Sequence, residues 1–199
     1  MNGRFVPTAG AGSTTTLDPS TGAVIAKVPA APASLVDDAV KAARQALDCG
    51  GWAAASAEER RYLLHLLADA VEDNAELLAE LETRDTGFPL AYTRGGHIAR
   101  AVEALRFFAG EAERLAGEAF VSHGAYLSSV LRIPVGVVAL LTPWSAPLTV
   151  TAMNLAAVLA CGNTCVLKPG EQAPLVPAAL MEIISRLDFP PGAVNLVHG

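Results

Sequence analysis

Charge is scarce in this sequence. Only 17% of its 199 residues are Asp, Glu, Lys or Arg, 52% are hydrophobic, and the mean hydropathy is +0.37, a more apolar balance than that of an average soluble domain. Such an excess implies surface that something else covers. A basic excess is also missing: with a net charge of −6 and a pI near 5.2 there is no electrostatic footprint for nucleic acid or an anionic membrane, and both are excluded as partners. No apolar run approaches the roughly 20 residues that span a bilayer. The opening Met-Asn-Gly-Arg-Phe-Val lacks the apolar core of a signal peptide, so the expected location is the cytoplasm.

Cysteine and histidine are equally sparse. Cys49, Cys161 and Cys165 form no Cys-x-x-Cys pair and are odd in number, which argues against a disulfide framework or a zinc site. Cys161 and Cys165 read as two small buried hydrophobes. His65, His97, His123 and His198 are scattered without metal-ligand spacing, and each is expected to be structural or solvated. No metal is expected.

What is present is a strand–helix–strand unit across residues 135–168. It reads as a buried strand (135–141), a Thr-Pro-Trp-Ser-Ala-Pro turn, a helix from Pro147 to about Leu159, a Gly-Asn stop and a second strand (164–168). Such a unit begins a parallel sheet, and ligands bind at the carboxyl ends of its strands. The turn is therefore the first place to look for chemistry.

Ahead of this unit, residues 14–17 and 23–28 suggest a hairpin around Asp18-Pro19-Ser20-Thr21-Gly22. A helix follows, capped by Ser34, with Val36, Val40, Ala43 and Leu47 as its apolar face. Ser56 and Glu59 form a capping box for a second helix with Leu63, Leu67, Ala70 and Val71. Asn74 can cap a third, carrying Leu77, Leu78 and Leu81 and ending near Thr86-Gly87. A fourth runs from about Gly96 with Ile98, Val102, Leu105, Ala109, Ala112 and Leu115 at helical spacing. Residues 118–121 and 126–133 read as a polar hairpin turning at His123-Gly124, whose edges can pair with another subunit. After the central unit come a loop (169–174), a helix to about Leu187 and a third strand (194–197). The fold class is α/β: half of a doubly wound, Rossmann-like parallel sheet preceded by a helical layer, with a protruding β-hairpin.

Several motifs occur in order along the chain: Asn2-Gly3-Arg4-Phe5-Val6, Asp18-Pro19-Ser20-Thr21-Gly22, Leu81-Glu82-Thr83 with Thr86-Gly87, and Pro134-Val135-Gly136-Val137-Val138. To these are added Thr142-Pro143-Trp144, Gly162-Asn163-Thr164, Lys168-Pro169-Gly170-Glu171-Gln172-Ala173-Pro174 and Pro190-Pro191-Gly192-Ala193-Val194-Asn195. In this order and spacing the chain resembles the aldehyde dehydrogenase superfamily over essentially its whole length. The resemblance implies that residues 1–117 and 134–199 are part of an NAD(P)-binding domain and residues 118–133 an oligomerisation hairpin. The catalytic domain, with its nucleophilic cysteine and general-base glutamate, is expected to be absent from this chain, and so is the second glycine-rich nucleotide loop.

The resemblance also assigns residues. Lys168 and Glu171 stand where similar enzymes hold the adenosine ribose hydroxyls. A carboxylate accepts from a 2′-OH and repels a 2′-phosphate, which favours NAD over NADP. Thr142, Pro143 and Trp144 would offer backbone and a wall beside the cofactor, with core packing the plainer role for Trp144. Ser145 occupies the position of the family's oxyanion-binding asparagine, where its shorter side chain gives a poorer donor; losing one such donor costs about 3–4 kcal/mol in the barrier. Alternatively, Ser145 caps the following helix.

Three functions follow as expectations. The chain is the cofactor-binding part of an enzyme that oxidises an aldehyde, completed by a catalytic domain and inactive alone. Or it is a non-catalytic binding or oligomerising partner, either of its own kind or of a complementary chain. Or it is a descendant repurposed for cofactor-free chemistry around Trp144 and Ser145.

Overall fold

The computed structural model describes residues 3–8, 12–122, 124 and 126–199. Asn2 of the first motif and His123 of the hairpin turn fall outside them. The hairpin β1 (Ser13–Leu17) and β2 (Val24–Pro29) comes first. The helices α1 (Ala33–Asp48), α2 (Gly51–Ala54), α3 (Ala57–Asp73), α4 (Ala75–Thr86) and α5 (Leu90–Tyr92) follow, then a π-helical turn (Thr93–Ile98) and α6 (Ala99–Ala112). A second antiparallel hairpin joins β3 (Glu118–Ser122) to β4 (Tyr126–Val130). The chain then alternates β5 (Val137–Thr142), α7 (Pro147–Ala160), β6 (Thr164–Pro169), α8 (Leu175–Ser185) and β7 (Val194–Leu196).

The last three strands form a parallel sheet in the order β5-β6-β7. Its register pairs Leu140 with Leu167 and Leu141 with Lys168. Leu140 and Leu167 face α7 and α8, whereas Val137, Val166 and Val197 meet Ala39 and Ala43 of α1. Helices therefore cover both faces, which is the doubly wound arrangement expected. Helix α7 is apolar nearly all round and buried over most of its surface, with Met153 left exposed. Leu148, Leu155 and Leu159 are fully buried in one continuous core with residues of α3, α6, α8 and the sheet, each worth about 2 kcal/mol relative to exposure.

Several local expectations change. Ser34 does not cap α1: the amides of Leu35 and Val36 already donate to Pro32 O at 2.9 and 3.2 Å, so the first turn closes before Ser34 and Pro32 is the N-cap. The buried face of α1 is Ala39, Ala43 and Ala46, with Val40 exposed. Alanines let the helix approach the sheet closely enough for the Thr164 hydroxyl to donate to Ala43 O at 3.0 Å. Asn74 makes no side-chain cap on α4; its amide instead donates to Ala70 O at 2.7 Å and closes α3. The capping box of Ser56 and Glu59 is present as expected.

On α4 the buried residues are Leu78, Ala79, Glu82 and Asp85, while Leu77 is exposed. The helix stops at Gly87, whose φ of +81° is left-handed and suits glycine. The fourth helical run begins earlier than Gly96, at Leu90, and passes through the π-helical turn; Leu115 lies beyond its end and is exposed. Cys165 is buried, with burial pushing its thiol up to about 12, but Cys161 is exposed because it is the C-cap of α7.

Two motifs act at the amino ends of the strands. Asn163 accepts from Gly136 N–H at 2.9 Å through its side chain, and its carbonyl accepts from the Trp52 indole at 2.9 Å. Asn195 donates to Gly192 O at 2.8 Å and Cys165 O at 3.3 Å. Both are buried and tie neighbouring strands together.

Candidate functional site

The carboxyl ends of β5, β6 and β7 open on one side of the sheet, and the loops after β5 and β6 meet there. Gly170 is what lets them meet. A Cβ on it would lie 2.9 Å from Trp144 N and 3.3 Å from Pro143 C, closer than a side chain tolerates. The turn after β5 therefore rests directly on the backbone of the loop after β6.

Of the residues expected in the site, Thr142 is buried, and its hydroxyl accepts from Thr151 of α7 at 3.4 Å. Only its backbone is left for a ligand. Pro143, Trp144 and Ser145 are exposed. Trp144 is half exposed, so it is not simple core packing. Ser145 does not cap α7 either. The N-cap is Ala146, held at φ 58° with no side-chain cap bond, and Pro147 opens the helix. A non-glycine residue in that conformation costs on the order of 1 kcal/mol, so the turn is held by its surroundings.

Lys168 and Glu171 are brought together, with Nζ 3.5 Å from Oε1. Both remain accessible to solvent, so the ion pair itself adds little stability. As a set they offer one ammonium donor and one carboxylate acceptor on the loop that packs against the Trp144 backbone. His198, at the end of β7, joins this group. Burial, and secondly the charge of Lys168, hold its imidazole below the usual histidine range. With Thr14, Val28, Pro169, Glu171, Pro174 and Gly199 it lines a small recess that brings the first hairpin to the site. The sequence offers His198 only as a structural or solvated histidine at the end of the third strand; the structure sets it, partly buried, beside Lys168.

A larger apolar groove of about 360 Å³ lies elsewhere, between α8, the strand β7 and residues of the opening segment such as Phe5 and Val6. Cys161 and Cys165 flank the start of β6, at the end of the sheet opposite the turn. Among the described residues no group of three or more His, Cys, Asp or Glu side chains is arranged to hold a metal ion. Among the described residues no helix is long and apolar enough to cross a membrane.

Behind the two loops lies a cluster that sequence reasoning missed. Glu82 and Asp85 are buried on α4, and His97 is buried in the π-helical turn with its Nδ1 against Glu82 Oε1. Burial raises the Glu82 carboxyl, and contact with His97 offsets this in part. Burial likewise pushes Asp85 up to about 6, although its Oδ2 accepts from Leu175 N–H at 2.9 Å. The signal was in the spacing: residues 78, 82 and 85 continue one helical face, although two of them are acidic.

The profile of the Aldehyde dehydrogenase family matches residues 5–199. The chain belongs to the aldehyde dehydrogenase family. It is 40% identical over 199 residues to the mitochondrial aldehyde dehydrogenase family 2 member B4 of Arabidopsis thaliana, covering all of this chain and 37% of the plant protein. To the NADP/NAD-dependent aldehyde dehydrogenase PuuC of Escherichia coli K12 it is 36% identical, covering 40% of that protein. Among solved structures, the NAD+ complex of the Bacillus cereus aldehyde dehydrogenase superposes with a TM-score of 0.97 at 38% identity, over all of this chain and 40% of that one. PnpE in complex with nicotinamide adenine dinucleotide gives 0.96 at 39%, with the same coverage. This aldehyde dehydrogenase family chain thus spans about 40% of the length of the relatives it matches.

Proposed function

We propose that this chain is the cofactor-binding part of an NAD(P)-dependent aldehyde dehydrogenase, in which residues 1–117 and 134–199 belong to the dinucleotide-binding domain and residues 118–133 to an oligomerisation hairpin. The observation that carries the reading is the pairing of Lys168 with Glu171 at the open end of the central strand, on the loop that packs against the Trp144 backbone. The donor set suits a ribose: the ammonium donates to one hydroxyl and the carboxylate accepts from another. A 2′-phosphate would meet Glu171 as a like charge, so NAD is the preferred cofactor over NADP. Thr142 and Pro143 contribute backbone, and Trp144 forms the wall. When bound, the dinucleotide supplies a hydride acceptor for aldehyde oxidation. This chain's residues hold and orient its adenosine end, and the nucleophile and general base come from outside these 199 residues.

The substrate is a small-molecule aldehyde, the working location the cytoplasm, and the working form a homo-oligomer or an assembly with a complementary chain. A second reading, a binding or oligomerising relative without catalysis, draws support from Ser145, which is exposed and carries only a hydroxyl where the family pattern has an amide. Titration of the purified chain with NAD and NADP, followed by Trp144 fluorescence, tests the first reading. The expected result is saturable binding, tighter for NAD, with the preference lost in Glu171→Gln. No binding of either dinucleotide refutes it. Incubation with NAD and a panel of aldehydes is expected to give no cofactor reduction above buffer.

A further inference from the structure

Helices α7 and α8 both begin without a side-chain cap of their own, although the loops that precede them carry Trp144 and Glu171. The first N–H groups of a helix need acceptors. For α8 one acceptor comes from a distance. Asp85 Oδ2 takes the N–H of Leu175, the first residue of α8. Helix α7 is reached one step further on, through His97, which packs against Glu82. Glu82 is in turn held by His97, whose ring packs edge-on to Phe88 and Tyr92 with centroids 5.0 and 4.9 Å away. A further tie runs from the Thr149 hydroxyl of α7 to His97 O at 2.9 Å. The π-helical turn carrying His97 is pinned by Thr93, whose hydroxyl bonds Leu90 O at 2.9 Å and the Thr83 hydroxyl at 2.9 Å.

We propose that Glu82 and Asp85 are positioning residues: from one buried face of α4, Asp85 fixes the start of α8 directly and Glu82 holds His97, whose carbonyl takes the Thr149 hydroxyl in the first turn of α7, so that one helix sets the spacing of both site loops. The two carboxylates are poor choices for stability alone. They are buried, one oxygen of each makes no hydrogen bond, and they lie at the end of α4 where the helix dipole disfavours negative charge. Apolar residues of similar size would cost less. What the carboxylates reach accounts for their presence. The link from loop position to dinucleotide affinity rests on the function proposed above, whereas the link from carboxylate to loop does not.

The test compares the whole chain with Asp85→Ala, Asp85→Asn, Glu82→Ala and Glu82→Gln by amide hydrogen exchange and NAD titration. Asp85→Ala is expected to speed exchange at Leu175 and the loop before it by about fivefold, the change that corresponds to a lost helix cap. Exchange in α3 stays unchanged, and Asp85→Asn, which keeps an acceptor, restores protection. Glu82→Ala does the same in the π-helical turn around His97 and the first turn of α7, and Glu82→Gln, which keeps an acceptor for His97, restores it. Unchanged exchange in both alanine variants, or a rise shared equally with α3, overturns the proposal. So does failure of the amide variants to restore protection. If the wild type binds no NAD, the proposed function falls while the exchange result still decides the positioning. If it binds, Asp85→Ala is expected to be about fivefold weaker, and wild-type affinity in that variant overturns the positioning role.

Discussion

Lowering the pH from 7 to 5 protonates Asp85, whose carboxyl burial moves from 3.8 to about 6. Because the folded value lies above the unfolded one, the stability this group contributes is fully present below 3.8 and is lost as the pH rises through about 6. At about 1.4 kcal/mol for each tenfold change in proton affinity, the whole effect is about 3 kcal/mol. Of this, about 1 kcal/mol develops between pH 7 and pH 5. The ionisable groups facing Asp85 are Glu82 on its own helix and, through Glu82, His97 of the π-helical turn. The first turns of α7 and α8 present none. Glu82 is raised by burial as well and acts in the same direction, so the wild-type curve alone does not isolate Asp85. The comparison with Asp85→Asn does. Urea unfolding at pH 7, 6 and 5 is expected to show the wild type gaining about 1 kcal/mol on the variant as the pH falls. A difference that stays constant within about 0.3 kcal/mol refutes the buried, raised carboxyl.

Replacing Asn163 with Ala removes the acceptor for Gly136 N–H and the amide donor to Val158 O; the expected loss is about 2 kcal/mol in denaturant unfolding, because a buried N–H is left unpaired. Ser145→Ala is expected to change stability by less than about 0.5 kcal/mol, since Ser145 is exposed and caps nothing, and a larger loss in a thermal melt would reinstate the capping role. Leu127, Leu131, Ile133 and Val135 are all more than 70% exposed. The isolated chain should therefore self-associate, and light scattering should show a shift toward monomer in Leu131→Glu/Ile133→Glu. A wild-type monomer that binds no apolar dye would contradict this.

The sequence by itself determined the order and type of nearly every element, because those signals are local. Alternating apolar runs marked β5 and β6, Ser56 with Glu59 announced α3, and Gly87 closed α4 by its left-handed backbone. The motifs named the family, which is a statement about residue types and spacing. Tertiary structure alone decided what those residues touch. Asn163 and Asn195, legible in the sequence only as members of motifs, tie neighbouring strands, and Ser145 lost the capping role because Ala146 occupies the cap. The face of α1 turned to its alanines because the sheet lies close behind it. The largest gap concerned Glu82, Asp85 and His97. A sequence shows acidic residues on a helix and scores them as solvated, since burying a charge is costly unless it is paired. Their partners lie 15 residues away for Glu82 and 90 for Asp85, and only the packed chain brings such distant groups to one face.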